Sequence, residues 1–581
     1  MCAGHPENIL HPAIEVSTGP LGQGISNAVG MAIGEAHLAA TFNKAGEAPI
    51  IDNYTYVLCG DGCLQEGISS EASSLAGHLG LGKLIVCYDD NKITIDGHTH
   101  LSFTEDVGMR YEAYGWHVQT VSDGNTNPDA IEAAINAAKA VTDKPSLIKI
   151  ATTIGLGSKH ANSHTAHGAP LGAEDVANVK KLYGFNPEEH FAIEAPVKAF
   201  YEAAGAVGTA SNAEWKKSFA AYSSAYPIDA AELTRRFEGR LPEGWKDVLP
   251  RGKLDGPTVA SRTHSGTVLN ALKKIMPELI GGSADLTPSN MTALKGVVDF
   301  QKATPQGSYL RFGVREHAMA AICNGLHAYG GFLPYCATFL NFIGYALGAV
   351  RLSSLSHMRV LYVATHDSIQ LGEDGPTHQP VEMLLSLRSM PNMLVMRPAD
   401  ETETSACYAM ALEATTTPST FALGRTPCPN FPGSDFDKAM KGGYVIHPVE
   451  GGAAPSVVIA TSGAEMMVAI EGAKILAAEG IAANVVSFVC LEKFESQSQQ
   501  YRESILPNGV PVVSIEASAS RGWERYSHAQ IGLTTFGASA PCNDNMKYFG
   551  FTKENVVAKA KALLVHFKAG APILPVNAPK F

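Results

Sequence analysis

The residues best suited to chemistry in this chain are oxygen donors at the ends of two short apolar runs. Gly60-Asp61-Gly62 closes the run TYVLCG, and Asp90-Asn91 follows LIVCYD after 27 intervening residues, 63–89. The Asp61 carboxylate, the Asn91 amide oxygen and a backbone carbonyl such as that of Ile93 are hard donors. Together with diphosphate oxygens and a water they complete the octahedron that Mg²⁺ demands. The glycines allow the backbone to approach a diphosphate, and a helix starting near Leu64 would aim its N-terminus at one. The spacing is that of the thiamine-diphosphate motif, GDG followed after about 25–30 residues by Asn. Taken alone, the same residues also describe two strand-end turns, which favour Gly, Asp and Asn.

A second anion-cradling geometry lies upstream, where STGPLGQG leads into a helix spaced with small residues over 17–42. It lacks the G-x-G-x-x-G spacing of nicotinamide enzymes, and no Walker pattern occurs in the chain. The elements that must position these loops alternate in type. TYVLCG (55–60), KLIVCYD (83–89), WHVQTV (116–121) and SLIKIAT (146–152) are almost continuously apolar, as expected of parallel strands buried on both faces. Helical stretches at 65–79 and 128–141 separate them, so both donor loops lie at carboxyl ends of neighbouring strands, the ligand-binding edge of an open α/β sheet. A polar segment without strand signal, about 205–257, reads as a helical linker. Two further α/β blocks follow. FLPYCATF, VLYVATHD, NMLVMRP and STFALGR are the strand candidates of the second. GGYVIHP, SVVIATSG, NVVSFVC and VPVVSIEA, with a helix at 463–479, make the third.

The chain has 581 residues, 56 acidic and 44 basic, for a net charge of −12. That length exceeds one hydrophobic core, and 45% hydrophobic residues can fill several. A spread negative charge argues against a nucleic-acid partner. No run is apolar enough for a membrane span, and the start is neither a signal nor a transit peptide. The cysteines are scattered through apolar runs, which suits reduced thiols in a cytoplasmic compartment, and the Cys59/Cys63 pair reads as buried thiols.

The strings GPLGQG, GDGCLQEG, DDNKITIDG, SHTAHGAPLG, GGSADLTPSN, GVREHAMAA, ATFLNFIGYA, ATHDSIQLGEDGPTHQP and MRPAD occur in the order found in the transketolase family. The chain resembles that family over essentially all of its length. The resemblance implies an α/β fold of three parallel-sheet domains, two of them thiamine-diphosphate-binding folds. A diphosphate-binding domain and the start of a linker occupy 1–225, the linker and a pyrimidine-binding domain 226–435, and a C-terminal domain that supplies no catalytic group 436–581. The implied activity is the reversible transfer of a two-carbon ketol from a ketose phosphate, such as xylulose 5-phosphate, to an aldose phosphate, in the pentose phosphate pathway or the Calvin cycle. The alternatives are dihydroxyacetone synthase, which takes formaldehyde as acceptor, and a non-catalytic paralogue.

The cofactors implied are thiamine diphosphate and Mg²⁺, with Ca²⁺ or Mn²⁺ as substitutes, the metal held by Asp61, Asn91 and Ile93. Glu316 of GVREHAMAA matches the carboxylate that bonds the pyrimidine ring nitrogen and promotes the imino tautomer. Phe339, Phe342 and Tyr345 recur at i, i+3 and i+6, the spacing of one helical face, and in the family this set stacks around the pyrimidine. By itself such a stripe also suits a core. Gly19, Pro20, Leu21, Gly62, Asn91, Ile154, His167 and Asp285 match positions lining the cofactor, and His167 also reaches substrate. Arg262, Ser289, His378 and Arg425 match a cage for one phosphate dianion. His366, Asp374 and His5 match groups on the sugar hydroxyls and reacting oxygens, so Glu316, His366 and His5 are the catalytic candidates. The partners implied are phosphorylated sugars and a second copy of the chain, with no nucleic acid or membrane. In that homodimer the active sites lie at the subunit interface, and Glu66 and Glu71 fall where carboxylates meet across it.

Relative to the family the chain starts roughly a hundred residues late, and losing such a segment would strip a helical layer from a buried sheet. Two further histidines would be missing with it. An incomplete gene model, a partner chain and a shortened paralogue each account for that start. The first is favoured, since every site residue within the chain is intact. The compartment is expected to be the cytoplasm, with a plastid left open by the start.

Overall fold

Each apolar run predicted as a strand is one, and the structure, a computed structural model describing residues 3–578, arranges them in three main sheets. The chain divides into two compact units. The first comprises the chain up to Arg240 with Phe300–Gly307 and Ala328–Phe332, and the second comprises Leu241–Asp299, Ser308–His327 and the chain from Leu333 onward.

In the first unit β1 (Thr55–Gly60), β2 (Leu84–Asp90), β3 (His117–Val121) and β4 (Ser146–Ala151) form a parallel sheet in the order β1-β2-β4-β3. Gly60 lies opposite Asp89, so the Asp61 loop and the Asn91 loop leave the same edge side by side. Ile85, Cys87, Ile148 and Ile150 pack on Ala134 and Ala138 of the helix Pro128–Lys139. Burial on both faces, expected for every strand here, holds for most of β2 but not for β1. At the sheet edge β1 alternates, burying Val57 and Cys59 while Leu58 is 88% exposed. The glycine-rich loop runs into α1 (Gln23–Phe42), which is buried on most sides because small residues let its neighbours close in.

The single helix expected at 65–79 is two. A short α2 (Asp61–Gln65) starts earlier than Leu64, and extended backbone at Glu66 separates it from α3 (Gly67–Leu79). The linker helix, α4 (Ala195–Ala225), also begins before the polar stretch that announced it. Its C-terminal half is tied down where the Trp215 indole donates to the Ile50 carbonyl at 2.9 Å and the Tyr222 hydroxyl to Phe42 at 2.8 Å.

In the second unit six parallel strands, β5 (Leu279–Ser283), β6 (Tyr309–Arg311), β7 (Leu333–Phe339), β8 (Leu361–Thr365), β9 (Leu394–Met396) and β10 (Ser419–Leu423), run in the order β9-β10-β8-β7-β5-β6. β5 and β6 escaped the sequence reading. LIGGS has little strand propensity, and its glycines are there for clearance, since a Cβ on Gly281 would lie 1.8 Å from the Tyr335 carbonyl oxygen. Phe339, Thr365 and Leu423 are in register, so the residues after β7, β8 and β10 emerge together at one carboxyl edge. The third sheet holds β11 (Gly443–His447), β12 (Val457–Thr461), β13 (Ala483–Phe488), β14 (Val512–Ala519) and β15 (Ala529–Leu533) in the order β11-β13-β12-β14-β15, with β11 antiparallel at its edge. Among the described residues no helix is long and apolar enough to cross a membrane.

Candidate active site

The first unit assembles the oxygen donors around one buried carboxylate. Asp61 opens α2, where its Oδ1 accepts the Tyr88 phenol at 2.5 Å and its Oδ2 the Lys92 amide at 3.1 Å. Burial holds the Asp61 carboxyl above its usual range, and the nearby Asp90 adds to that, so a cation at this position would be favoured. Asn91 Oδ1 accepts the Ile93 amide at 3.0 Å, which tightens the loop carrying both metal-ligand candidates. Lys92 between them adopts a left-handed φ of 62°. Among the described residues no three His, Cys, Asp or Glu side chains form a metal cluster of their own. An Asp–Asn–carbonyl set with open positions is suited instead to a hard cation that shares its ligands with a phosphate.

The glycines of this unit make a cradle. A Cβ on Gly62 would lie 2.9 Å from Leu21 Cδ1, and one on Gly19 would lie 3.0 Å from the His5 ring. His5, Gly19, Leu21 and Gly62 are thereby brought to two close approaches, while the Pro20, Leu21 and His5 side chains remain exposed. Ile154 is half-buried after β4, and its carbonyl accepts the Asn162 amide at 3.0 Å. His167 is exposed on the short helix His164–Gly168. The Asp61, Asn91 and Ile93 oxygens fit a magnesium diphosphate in donor chemistry.

The second unit gathers its candidates at the carboxyl edge of the six-stranded sheet. His366 follows β8 with φ at 59°, an uncommon conformation for a residue with a Cβ, and is buried. Its ring lies on Phe339 with centroids 3.8 Å apart. Nδ1 is 2.8 Å from Thr365 Oγ1, and Nε2 is 3.4 Å from Arg262 Nη1. A guanidinium only donates, so Nε2 is the acceptor and the proton sits on Nδ1. Burial pushes the imidazole down to about 3, reinforced by Arg262, Arg425 and His378, so the ring is neutral at physiological pH.

Arg262 leaves the start of α5 (Ser261–Lys273) and donates Nη1 to the Ser289 carbonyl at 2.7 Å. The sequence predicts the Ser289 hydroxyl as the relevant group, and its backbone is what meets Arg262 here. Arg262 Nε is buried without a hydrogen-bond partner, and burial together with the neighbouring Arg425 disfavours the Arg262 charge. Arg425 is exposed and reaches the Leu371 carbonyl at 2.8 Å. His378 Nδ1 lies 2.9 Å from Thr377 Oγ1, and its ring meets Phe342 edge-on at 5.1 Å. Asp374 is exposed on the loop four residues before His378.

The three aromatics do not share one helix. Phe339 ends β7, Phe342 lies in a 3-10 turn, and Tyr345 is exposed in α7 (Ile343–Leu355). They are nonetheless consecutive neighbours, with centroids 5.7 Å apart for Phe339–Phe342 and 6.0 Å for Phe342–Tyr345. The chain turns a corner at the strand end, so the i, i+3, i+6 spacing brings them together by another route. Glu316 is the first residue of α6 (Glu316–Tyr329) and is half-buried. Asp285 is exposed in a left-handed turn after β5.

Sequence reading missed the groups that orient these side chains. Asn290, fully buried, donates to Thr365 Oγ1 at 2.7 Å and accepts from Ser283 at 2.6 Å, and Tyr88 holds Asp61. Neither carried a signal of its own, since Asn290 acts through Thr365 and Tyr88 through Asp61, partners distant in the chain.

Three family models match the chain in succession: the transketolase thiamine diphosphate binding domain over residues 1–242, the transketolase pyrimidine binding domain over 257–429, and the transketolase-like C-terminal domain over 442–552. A transketolase of Scheffersomyces stipitis is 51% identical over 580 residues, covering 99% of this chain and 85% of that one. The chloroplastic transketolase-1 of Arabidopsis thaliana is 51% identical over 565 residues, covering 96% and 76%. Among solved structures, a Pichia stipitis transketolase in complex with sedoheptulose-7-phosphate superposes with a TM-score of 0.97 at 50% identity, over 99% of this chain and 85% of that one. Transketolase from Leishmania mexicana gives 0.95 at 49% identity, over 98% and 84%.

Proposed function

The chain belongs to the transketolase family, and on that premise we propose that it moves a two-carbon ketol unit reversibly from a ketose phosphate to an aldose phosphate. The observation that carries this reading is the half-buried Arg262 guanidinium, whose Nε is buried without a partner and whose charge is opposed by burial and by Arg425 beside it. A half-buried cation with a buried, unmet donor is costly until an anion arrives. A sugar phosphate delivers that anion while presenting hydroxyls to the adjacent imidazole.

Asp61, Asn91 and the Ile93 carbonyl hold Mg²⁺, for which Ca²⁺ or Mn²⁺ substitutes, and the Gly19–Leu21 loop with Gly62, Ile154, His167 and Asp285 receives the cofactor. Thiamine diphosphate held there would supply an acidic thiazolium carbon, a nucleophile and electron sink for ketol chemistry. Glu316 offers its carboxylate to the pyrimidine ring nitrogen, and a half-buried site strengthens such a bond. Phe339, Phe342 and Tyr345 shelter the ring from water. His366 is neutral, and its Nε2, which faces Arg262, takes a hydrogen bond from a sugar hydroxyl once the phosphate engages that guanidinium. His5 and His167 serve the reacting oxygens, and Asp374 accepts from a hydroxyl farther along the sugar. Arg262, Arg425, Ser289 and His378 bind the phosphate.

The active form in this reading is a homodimer, in the cytoplasm or, as the names of the chloroplastic relatives suggest, in a plastid. A xylulose 5-phosphate donor labelled at its first two carbons tests the reaction. The label is expected on the lengthened aldose phosphate. Transfer to formaldehyde in preference to any aldose phosphate, or no transfer, rejects the assignment.

A further inference from the structure

His366 follows a strand of the six-stranded sheet, and a buried ion cluster begins at the next residue, Asp367. Arg397 is fully buried just after β9. Its Nε donates to Asp367 Oδ2 at 2.8 Å, and Nη1 donates to Glu465 Oε2 at 2.5 Å, to the Ser462 carbonyl at 2.9 Å and to Ser462 Oγ at 3.1 Å. Gly463 is closed against the same guanidinium, since a Cβ there would stand 2.8 Å from Arg397 Cζ. Gln370 fixes the far side of Glu465 at 2.8 Å. Burial alone would disfavour the Arg397 charge, but Asp367, Glu465 and Glu516 outweigh it.

Asp367 directly follows His366, whose left-handed backbone is costly for a residue with a Cβ and persists only where its surroundings determine it. On the near side His366 is held by Phe339 and Thr365. On the far side the next residue, Asp367, is anchored through its carboxylate on Arg397, itself fixed by residues 462–465 after β12. We propose that Arg397 is a positioning residue for the sugar-phosphate site, clamped by Ser462 and Glu465 so that it holds Asp367 and thereby keeps His366 facing Arg262. The third α/β block thus contributes to substrate recognition without touching substrate. This inference rests on the ketol-transfer reading for the identity of the ligand.

The test measures xylulose 5-phosphate affinity by calorimetry alongside KM and kcat, with thiamine diphosphate and Mg²⁺ bound. Asp367→Asn keeps the side-chain shape while weakening the link, and is expected to raise Kd and KM about tenfold or more through misplacement of His366. Cofactor affinity should stay at the wild-type value. Arg397→Lys, which keeps the charge, should fall between wild type and Asp367→Asn. Should either variant fail to fold, Glu465→Gln loosens the clamp from behind and should shift Kd in the same direction. Arg502→Lys is the control, because Arg502 is buried in the third block on the Val576 and Glu495 carbonyls at 3.0 and 3.2 Å, and among the described residues it shares no hydrogen-bond partner with Arg397 or Asp367. It should lower the melting temperature without changing Kd. Unchanged Kd in Asp367→Asn, or an equal loss in Arg502→Lys, overturns the proposal. A wild type that binds the sugar without transferring it refutes the ketol-transfer reading and leaves the Kd comparison decisive, whereas a wild type that does not bind the sugar refutes both.

Discussion

His366 Nε2 lies 3.4 Å from Arg262 Nη1, the imidazole accepting and the guanidinium donating. Burial, reinforced by that guanidinium and by Arg425 and His378, holds His366 at about 3 against an ordinary value of 6.5. Below pH 6.5 the unfolded chain takes up a proton that the folded site refuses, so stability is lost as pH falls from 6.5 toward 3. Replacing His366 with Asn removes this contribution, and the variant should lose about 2 kcal/mol less than wild type between pH 7 and pH 5. Denaturant unfolding at the two pH values measures the difference, and identical losses would show that the imidazole titrates normally.

Arg262→Ala should separate phosphorylated from unphosphorylated donors. Loss of charge-assisted hydrogen bonds to a dianion costs about 1.5–3 kcal/mol, roughly ten- to a hundredfold in KM. A donor without phosphate should shift far less, and equal effects on both would remove Arg262 from the phosphate cage.

Glu316→Gln keeps the size of the side chain and removes its ability to hold a proton for the cofactor ring. Turnover should fall by about 10²–10⁴, with Mg²⁺ and diphosphate affinity retained. Activity within a few-fold of wild type would deny Glu316 its role.

Asp61 tests the metal site. The wild type should be stabilised by about 2.7 kcal/mol at a hundredfold excess of cofactor over Kd. Chelation of the cation, or Asp61→Asn, should abolish most of that gain. If the Asn variant melts higher with cofactor to the same extent as wild type, the cation is held elsewhere.

Much of the frame behind these predictions is legible in the sequence, for local reasons. β2 and β8 are continuous apolar runs, and Asp61, Asn91 and His366 lie just beyond strand ends, so pattern alone puts them at a ligand-binding edge. Other features depend on partners distant in the chain. The spacing of Phe339, Phe342 and Tyr345 matched a helical face, but Phe339 is the last residue of a strand, and the contact arises because the backbone turns there. β5 was missed because its glycines serve close strand contact, a requirement set by Tyr335 more than fifty residues away. Arg397 carried no signal, since its meaning depends on Asp367 on one side and Glu465 on the other. The exposure of Leu58 was likewise unreadable, because a strand's sequence does not say which of its faces is covered.

The most direct test is a turnover assay on the purified 581-residue chain, with xylulose 5-phosphate as donor and an aldose phosphate as acceptor. Ketol transfer is predicted only when thiamine diphosphate and a divalent cation are both present, and it should cease on removal of either. No transfer at saturating concentrations of both would contradict the assignment of this activity to the chain.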